Sequence, residues 1–380
     1  MNFDGVFINL EDFEPTAKKL GGSLTGNVIV VTEKATKREC ACKIFKSDLC
    51  ASGVNQMSIV RQAFQLSNLK HPASVSLKGI NMRSHKDPLS PIFITDLYKN
   101  GSLETILKAA NKNFTPTKKH IALLGISHFL KYVHSNGITH NDLKPTNILF
   151  DDQFHPHVSD TGLSMTKNNL AYTAPEGSNS TSADVFAFGI LAFEIITGKN
   201  AFTETGDALK KVIASGYRPS FTSDMTVPIC ELISKCWKKD SADRPSFSEI
   251  YEELQDFKKC IKGTADADEI EKYIKLLSEV KSVGRASPVP HPHGARNDSE
   301  DLTAVARRRE PLARLNSSPS MKERDSQRSS INEHQDDDVR VFFCFLSSFL
   351  TFISFSSFVF YSSSSLLFHS SSFLLLFMKN

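Results

Sequence analysis

His140-Asn141-Asp142-Leu143-Lys144-Pro145-Thr146-Asn147 places a carboxylate, a cation two residues on and a carboxamide five residues on in one short stretch. Side chains of these kinds in one loop can orient a hydroxyl, offset charge on a γ-phosphate and hold a metal ion. A second carboxylate, Asp160, follows 18 residues after Asp142 in Val158-Ser159-Asp160-Thr161-Gly162. Ala174-Pro175-Glu176 comes next, with Glu176 16 residues beyond Asp160. Taken alone, the first stretch reads equally well as a surface loop of mixed charge. Three motifs in this order and at these spacings make chance a poor explanation.

Working outward, a chain of 380 residues is long enough for two packed lobes and a tail. Its 40% hydrophobic and 23% charged residues suit a globular core, and a net charge of +3 gives no case for nucleic-acid binding. The seven cysteines are Cys40, Cys42, Cys50, Cys230, Cys236, Cys260 and Cys344, with no CxxC pair among them. That pattern argues against a disulfide framework or a zinc site and for a reducing compartment. Met1-Asn2-Phe3-Asp4 opens without a basic and then apolar leader, so the expected location is cytoplasmic.

Strand and helix signals divide the first 260 residues. Val28–Val31 and Glu39–Phe45 read as paired strands around a polar turn, and Ile92–Thr95 as a further strand. Helical spacing runs through Val60, Ala63, Phe64 and Leu69, and again through Ile121, Leu124, Phe129 and Val133. Further amphipathic stretches lie at 183–197, 206–214, 228–237 and 246–258. The front is strand-rich with one helix, the back helical.

These motifs together make the chain resemble a eukaryotic protein kinase from about Phe13 to Lys262. The resemblance implies an α+β bilobal fold, with a small β-rich lobe at about 13–96 and a larger helical lobe at about 97–262. Cys236-Trp237 followed by Arg244-Pro245-Ser246-Phe247, with Asn100-Gly101-Ser102-Leu103 earlier, is most similar to the tyrosine kinase-like group, whose members mostly phosphorylate serine and threonine. It implies ATP and Mg²⁺ as cofactors and a protein bearing serine or threonine as substrate. Gly21 and Gly26 then flank a phosphate cradle, Val28 covers the adenine, and Lys43, 17 residues after Gly26 in Ala41-Cys42-Lys43, contacts the α- and β-phosphates. Thr95 lines the back of the adenine pocket beside Ala41, Asp96 and Leu97 form the hinge, and Leu149 is the pocket floor. Asp142 accepts or orients the substrate hydroxyl proton, Lys144 offsets phosphoryl charge, and Asn147 with Asp160 holds the metal through hard oxygen ligands. Glu176 is expected to form a buried ion pair with Arg244, and Asp184–Gly189 to begin the central helix of the large lobe.

Four positions depart from that pattern. Ser23 stands where the middle glycine of the cradle is expected, which restricts the backbone there. Gln62 occupies the helix position of a glutamate that pairs with the strand lysine; its carbonyl can accept from Lys43 but brings no charge. Asn141 replaces an arginine that pairs with a phosphorylated activation segment, and Thr161 replaces a large phenylalanine. Thr166, Tyr172 and Thr173 are candidate phosphorylation sites in that segment, without a matching arginine. Two functions follow: an active serine/threonine kinase, or a pseudokinase that binds nucleotide and partners.

Beyond the kinase region, 263–340 reads as a polar, disordered linker, since its serine, proline and charged residues bury too little apolar surface. Val341–Met378 carries no charge if His369 is neutral and is almost wholly Phe, Ser and Leu. Residues 341–361 are long enough to anchor the protein in a membrane, while pyrimidine-rich non-coding sequence would translate to the same composition.

Overall fold

The computed structural model describes residues 6–280, apart from 23–24, 48–52, 87–89, 162–169, 178 and the side chains of 53–57. Ser23 and Thr166 therefore lie outside the described residues, as do most of the linker and the whole tail. Among the described residues no helix is long and apolar enough to cross a membrane; the expected span at 341–361 lies beyond them.

The small lobe is an antiparallel sheet of β1 (Phe13–Gly22), β2 (Gly26–Glu33), β3 (Glu39–Phe45), β4 (Leu77–Asn81) and β5 (Ile92–Asp96), in the order β1-β2-β3-β5-β4. The period-2 alternation of strands sorts its side chains onto two faces. Cys40, Cys42, Ile92 and Ile94 join Leu10, Phe13 and Val31 in a small outer core. The register sets Val28 opposite Lys43 and Ala41 opposite Thr95, so these four share the other face.

Residues before β1 belong to this lobe. Ile8 N–H donates to Ile80 O at 3.0 Å and Ile80 N–H to Val6 O at 2.8 Å, covering the β4 edge. An N-terminal extension ending at residue 12 is thus partly built into the sheet, which also blunts an edge open to pairing.

Helix α1 (Gly53–Asn68) packs through Ile59, Ala63 and Leu66, all at most 4% exposed. The periodicity through Val60 and Phe64 is one position out of phase, because apolar residues occur on both sides of this helix. Gln62, 1% exposed, sits within the apolar stripe.

In the large lobe, β6 (Gly101–Ser102) leads into α2 (Leu103–Lys108) and α3 (Pro116–Ser135). Thr115 caps α3 by accepting from Lys118 N–H, and Pro116 fills the first turn, where a missing donor costs nothing. Strands β7 (Ile148–Phe150) and β8 (Pro156–Val158) form a hairpin carrying the active-site segments. Helix α4 (Thr181–Thr197), apolar nearly all round, is the core of the lobe, capped by Ser180 and ended by Gly198 at φ 68°. Around it lie α5 (Gly206–Ala214), α6 (Val227–Cys236), α7 (Phe247–Gln255) and the short α8 (Phe257–Cys260). The α7 start is a complete capping box, with Ser246 and Glu249 satisfying each other's backbone.

The linker expectation needs correction at its start: residues 267–278 form helix α9 (Ala267–Ser278). Its Ile270, Tyr273 and Leu277, at i, i+3 and i+7, are at most 2% exposed. Glu271, Lys272 and Lys275 lie between them and Asp268 and Glu269 before them, which is why composition reads the segment as polar although its apolar face is continuous.

Candidate active site

Asp184 organises the catalytic loop. Although 2% exposed, its carboxylate accepts from His140 N–H at 2.7 Å, Asn141 N–H at 2.9 Å and His134 Nε2 at 2.9 Å. A buried carboxylate is tolerated when its lone pairs are filled by donors in this way. Its anchoring role escaped sequence reasoning; the available signal was an ionisable residue in the first turn of the otherwise apolar helix run Ala183–Phe193. Asn141 adopts φ 67°, a left-handed backbone that suits asparagine better than most residues.

His140 is fully buried, and burial holds its pKa down. Its Nδ1 accepts from Asp142 N–H at 3.2 Å, so Nε2 carries the hydrogen and donates to Ser159 O at 3.0 Å. The neutral imidazole thus ties the catalytic loop to the strand end preceding Asp160.

Within the loop, Lys144 Nζ lies 2.5 Å from Asp142 Oδ2. Asn147 Nδ2 donates to Asp142 O at 2.8 Å and to Oδ2 at 3.2 Å. With its nitrogen committed to Asp142, Asn147 keeps its amide oxygen for another partner. Asp160 adopts φ 59° and faces Lys43, whose Nζ is 2.7 Å from both carboxylate oxygens. Burial opposes ionisation of Asp160, but the charge and hydrogen bonds of Lys43 outweigh it and hold the carboxyl below its usual range. An ionised carboxylate and an amide oxygen are hard donors that fit Mg²⁺.

The cradle and pocket positions implied by the resemblance lie on β1, β2, β3, β5, the segment after β5, and β7. A Cβ on Gly26 would lie 2.2 Å from Ile44 O, so only glycine lets β2 approach β3 there. A Cβ on Gly21 would meet nothing within 4 Å, leaving backbone open on that side. Val28, Ala41, Lys43, Thr95, Asp96, Leu97 and Leu149 are all partly exposed, unlike the buried residues beside them. Leu149 pairs with Ser102 on one side and His157 on the other, on the hairpin that ends at Asn147 and Asp160.

The expected contact from Lys43 to Gln62 is not made. Lys43 takes Asp160, and among the described residues neither amide atom of Gln62 has a partner. Thr161, fully buried, likewise has no hydroxyl partner among the described residues. An unpaired buried polar group costs about 1–3 kcal/mol, so Gln62→Leu should raise the unfolding midpoint in urea. Gln62→Glu should instead raise phosphoryl transfer severalfold in a steady-state assay. Unchanged turnover would show that Asp160 alone sets the position of Lys43.

The activation segment is tied down at its end. Tyr172 OH donates to Glu194 at 2.6 Å, and Glu194 also accepts from Ala201 N–H at 2.9 Å. Tyr172 is thus a structural hydroxyl, its pKa raised by burial and by the Glu194 charge. Arg244 binds Glu176 through two contacts of 2.5 and 2.9 Å. The Arg244 side chain is 0% exposed and that of Glu176 34%, so the pair is half-buried rather than buried throughout.

Asp142, Lys144 and Asn147 gathered in one loop, with Lys43 of the sheet facing Asp160, are the arrangement of a phosphoryl-transfer fold. Residues 15–254 match the protein tyrosine and serine/threonine kinase family. The chain belongs to that family. It is 27% identical over 261 residues to a protein kinase and PP2C-like domain-containing protein of Arabidopsis thaliana, covering 55% of this chain and 39% of that one. It is 29% identical over 257 residues to the dual specificity protein kinase pyk3 of Dictyostelium discoideum, covering 63% and 18%. Against the RGS domain-containing serine/threonine-protein kinase A of the same organism, identity is 28% over 233 residues, with 57% and 20% covered. The chain thus spans two fifths or less of the length of these relatives.

Proposed function

We propose that the chain is an active protein kinase that transfers the ATP γ-phosphate to serine or threonine hydroxyls of proteins. The observation that carries this reading is the cluster on Asp142: its carboxylate is held by Lys144 and Asn147, and the loop bearing all three is fixed by Asp184. Asp142 accepts or orients the incoming hydroxyl proton. Lys144 neutralises charge on the transferring group, and Lys43 holds phosphate oxygens from the sheet side. Asn147 and Asp160 would hold Mg²⁺, which when bound offsets the phosphate charges. Lysine at 144 and the kinase named for serine and threonine among the relatives support the choice of acceptor.

The test is radiolabel transfer from ATP to a generic basic protein by the full chain, with Asp160→Ala beside it. Magnesium-dependent label on serine or threonine, lost in the variant, is the expected result. Label on tyrosine would overturn the acceptor assignment. The absence of any transfer above Asp160→Ala would favour the second reading, a pseudokinase that binds nucleotide and partners. That reading draws on the unpartnered Gln62 and Thr161 side chains, which leave α1 without a polar tie to Lys43.

A further inference from the structure

Helix α9 lies wholly beyond the family match, which ends at residue 254, yet it is packed into the large lobe. Asp266 N–H donates to Thr117 Oγ1 at 2.9 Å, and Glu269 pairs with Lys118, so the helix start is fastened to α3. Tyr273, 2% exposed, is the largest of its buried side chains. Gly125 in α3 gives it room: a Cβ there would lie 2.4 Å from the Tyr273 hydroxyl and 2.4 Å from Pro156 Cγ. The Tyr273 hydroxyl has no partner among the described residues, so the ring, not the hydroxyl, accounts for the docking.

That ring faces the hairpin of the active site. His155 lies on Tyr273 with centroids 4.7 Å apart and planes 30° apart. Asp151, at the β7 end, gathers His155 Nδ1 at 3.5 Å, His157 Nε2 at 3.4 Å and His155 N–H at 2.8 Å. The His157 ring stacks on Tyr98 at 4.3 Å. Tyr98 OH accepts from Ser76 N–H at 2.9 Å, while Ser76 O accepts from Asp96 N–H at 3.1 Å. Asp96 and Tyr98 are therefore both tied to Ser76, and the Tyr98 ring lies against His157 of the hairpin that rests on α9.

We propose that α9 is a positioning element for nucleotide binding, with Tyr273 holding the β7–β8 hairpin and, through Asp151, His157 and Tyr98, the hinge. This rests on the reading that the cleft binds ATP. Removing the Tyr273 ring frees His155, loosens the Asp151 cluster and lets Tyr98 and Asp96 move against the adenine edge.

Two measurements on the full chain test it: nucleotide titration with a fluorescent ATP analogue and Mg²⁺, and amide exchange of the hinge segment 92–100. Tyr273→Ala should weaken the analogue about three- to tenfold, in the range of coupling carried by packed networks. It should also speed hinge exchange while the β2 segment 28–33 is unchanged. Tyr273→Phe, which keeps the ring and removes the orphan hydroxyl, should restore both. Ile213→Ala in α5, a large-lobe core change away from the hairpin, serves as the control: it should lower the melting temperature without either effect. Equal losses in Tyr273→Ala and Ile213→Ala, or a Tyr273→Ala that melts earlier with affinity and hinge exchange intact, would overturn the proposal. If Tyr273→Ala does not fold, Glu269→Lys, which opposes Lys118 at the helix start, takes its place with the same expected signs. A wild-type chain that binds no nucleotide would sink the kinase reading, while hinge exchange in the variants still decides the role of α9.

Discussion

Asp142→Asn should lower phosphoryl transfer by about 10²–10⁴-fold, the usual contribution of a positioned acid–base group, while nucleotide affinity stays within about twofold of wild type. The substitution is close to isosteric. An asparagine at 142 retains one oxygen for Lys144 Nζ, now 2.5 Å from Oδ2, and for Asn147 Nδ2 at 3.2 Å. The backbone bonds that hold the loop, from His140 and Asn141 to Asp184, do not involve the changed atoms. In the proposed mechanism, what disappears is the negative charge that accepts or orients the hydroxyl proton, so kcat should fall and binding should not. Single-turnover transfer together with analogue titration separates the two. Substantial turnover in the variant would show that another group takes the proton and that the assignment of Asp142 is wrong.

The second large effect concerns folding. Glu176→Ala should destabilise the chain by about 2–4 kcal/mol, because breaking a buried pair leaves an uncompensated charge. Arg244 is the partner left stranded. Its side chain is 0% exposed, and it would keep only carbonyl acceptors such as Ser182 O at 2.9 Å and Lys238 O at 2.9 Å. It also lies over the Phe186 ring at 5.2 Å, beside Arg218 at 5.0 Å on the same ring. Two cations on one aromatic ring tolerate each other poorly once the carboxylate is gone. Because Glu176 is itself 34% exposed, the effect belongs in the lower part of the range for fully buried pairs. Urea unfolding measures it, and a loss below about 1 kcal/mol would place this contact with ordinary surface ion pairs.

Much of this protein is written in local spacing. The strand alternation at Cys40 and Cys42, the cap and first-turn proline at Thr115-Pro116, and the apolar run after Ser180 identify their elements without tertiary help. The set Lys43, Asp142, Lys144, Asn147 and Asp160 is likewise legible, because each residue sits in a short motif whose spacing is itself the signal. The sequence was less informative where a polar residue lies among apolar neighbours. Gln62 reads as a weakened partner for Lys43, yet in the fold it is enclosed by the stripe of Ile59, Ala63 and Leu66. Helix α9 failed to stand out because composition averages away a three-residue apolar face.

The sequence by itself determined the order of the lobes, the identity of the chemical groups and the four departures from the family pattern. Only the tertiary structure decided that Lys43 pairs with Asp160, 117 positions away, rather than with Gln62. It alone placed Asp184 beneath the catalytic loop, 44 positions from His140, and Tyr273 behind the hairpin. The physical reason is range. Propensity, capping and periodicity act between neighbours along the chain, whereas the partner of a buried charge is fixed by which surfaces the packed core brings within about 3 Å, the reach of a hydrogen bond.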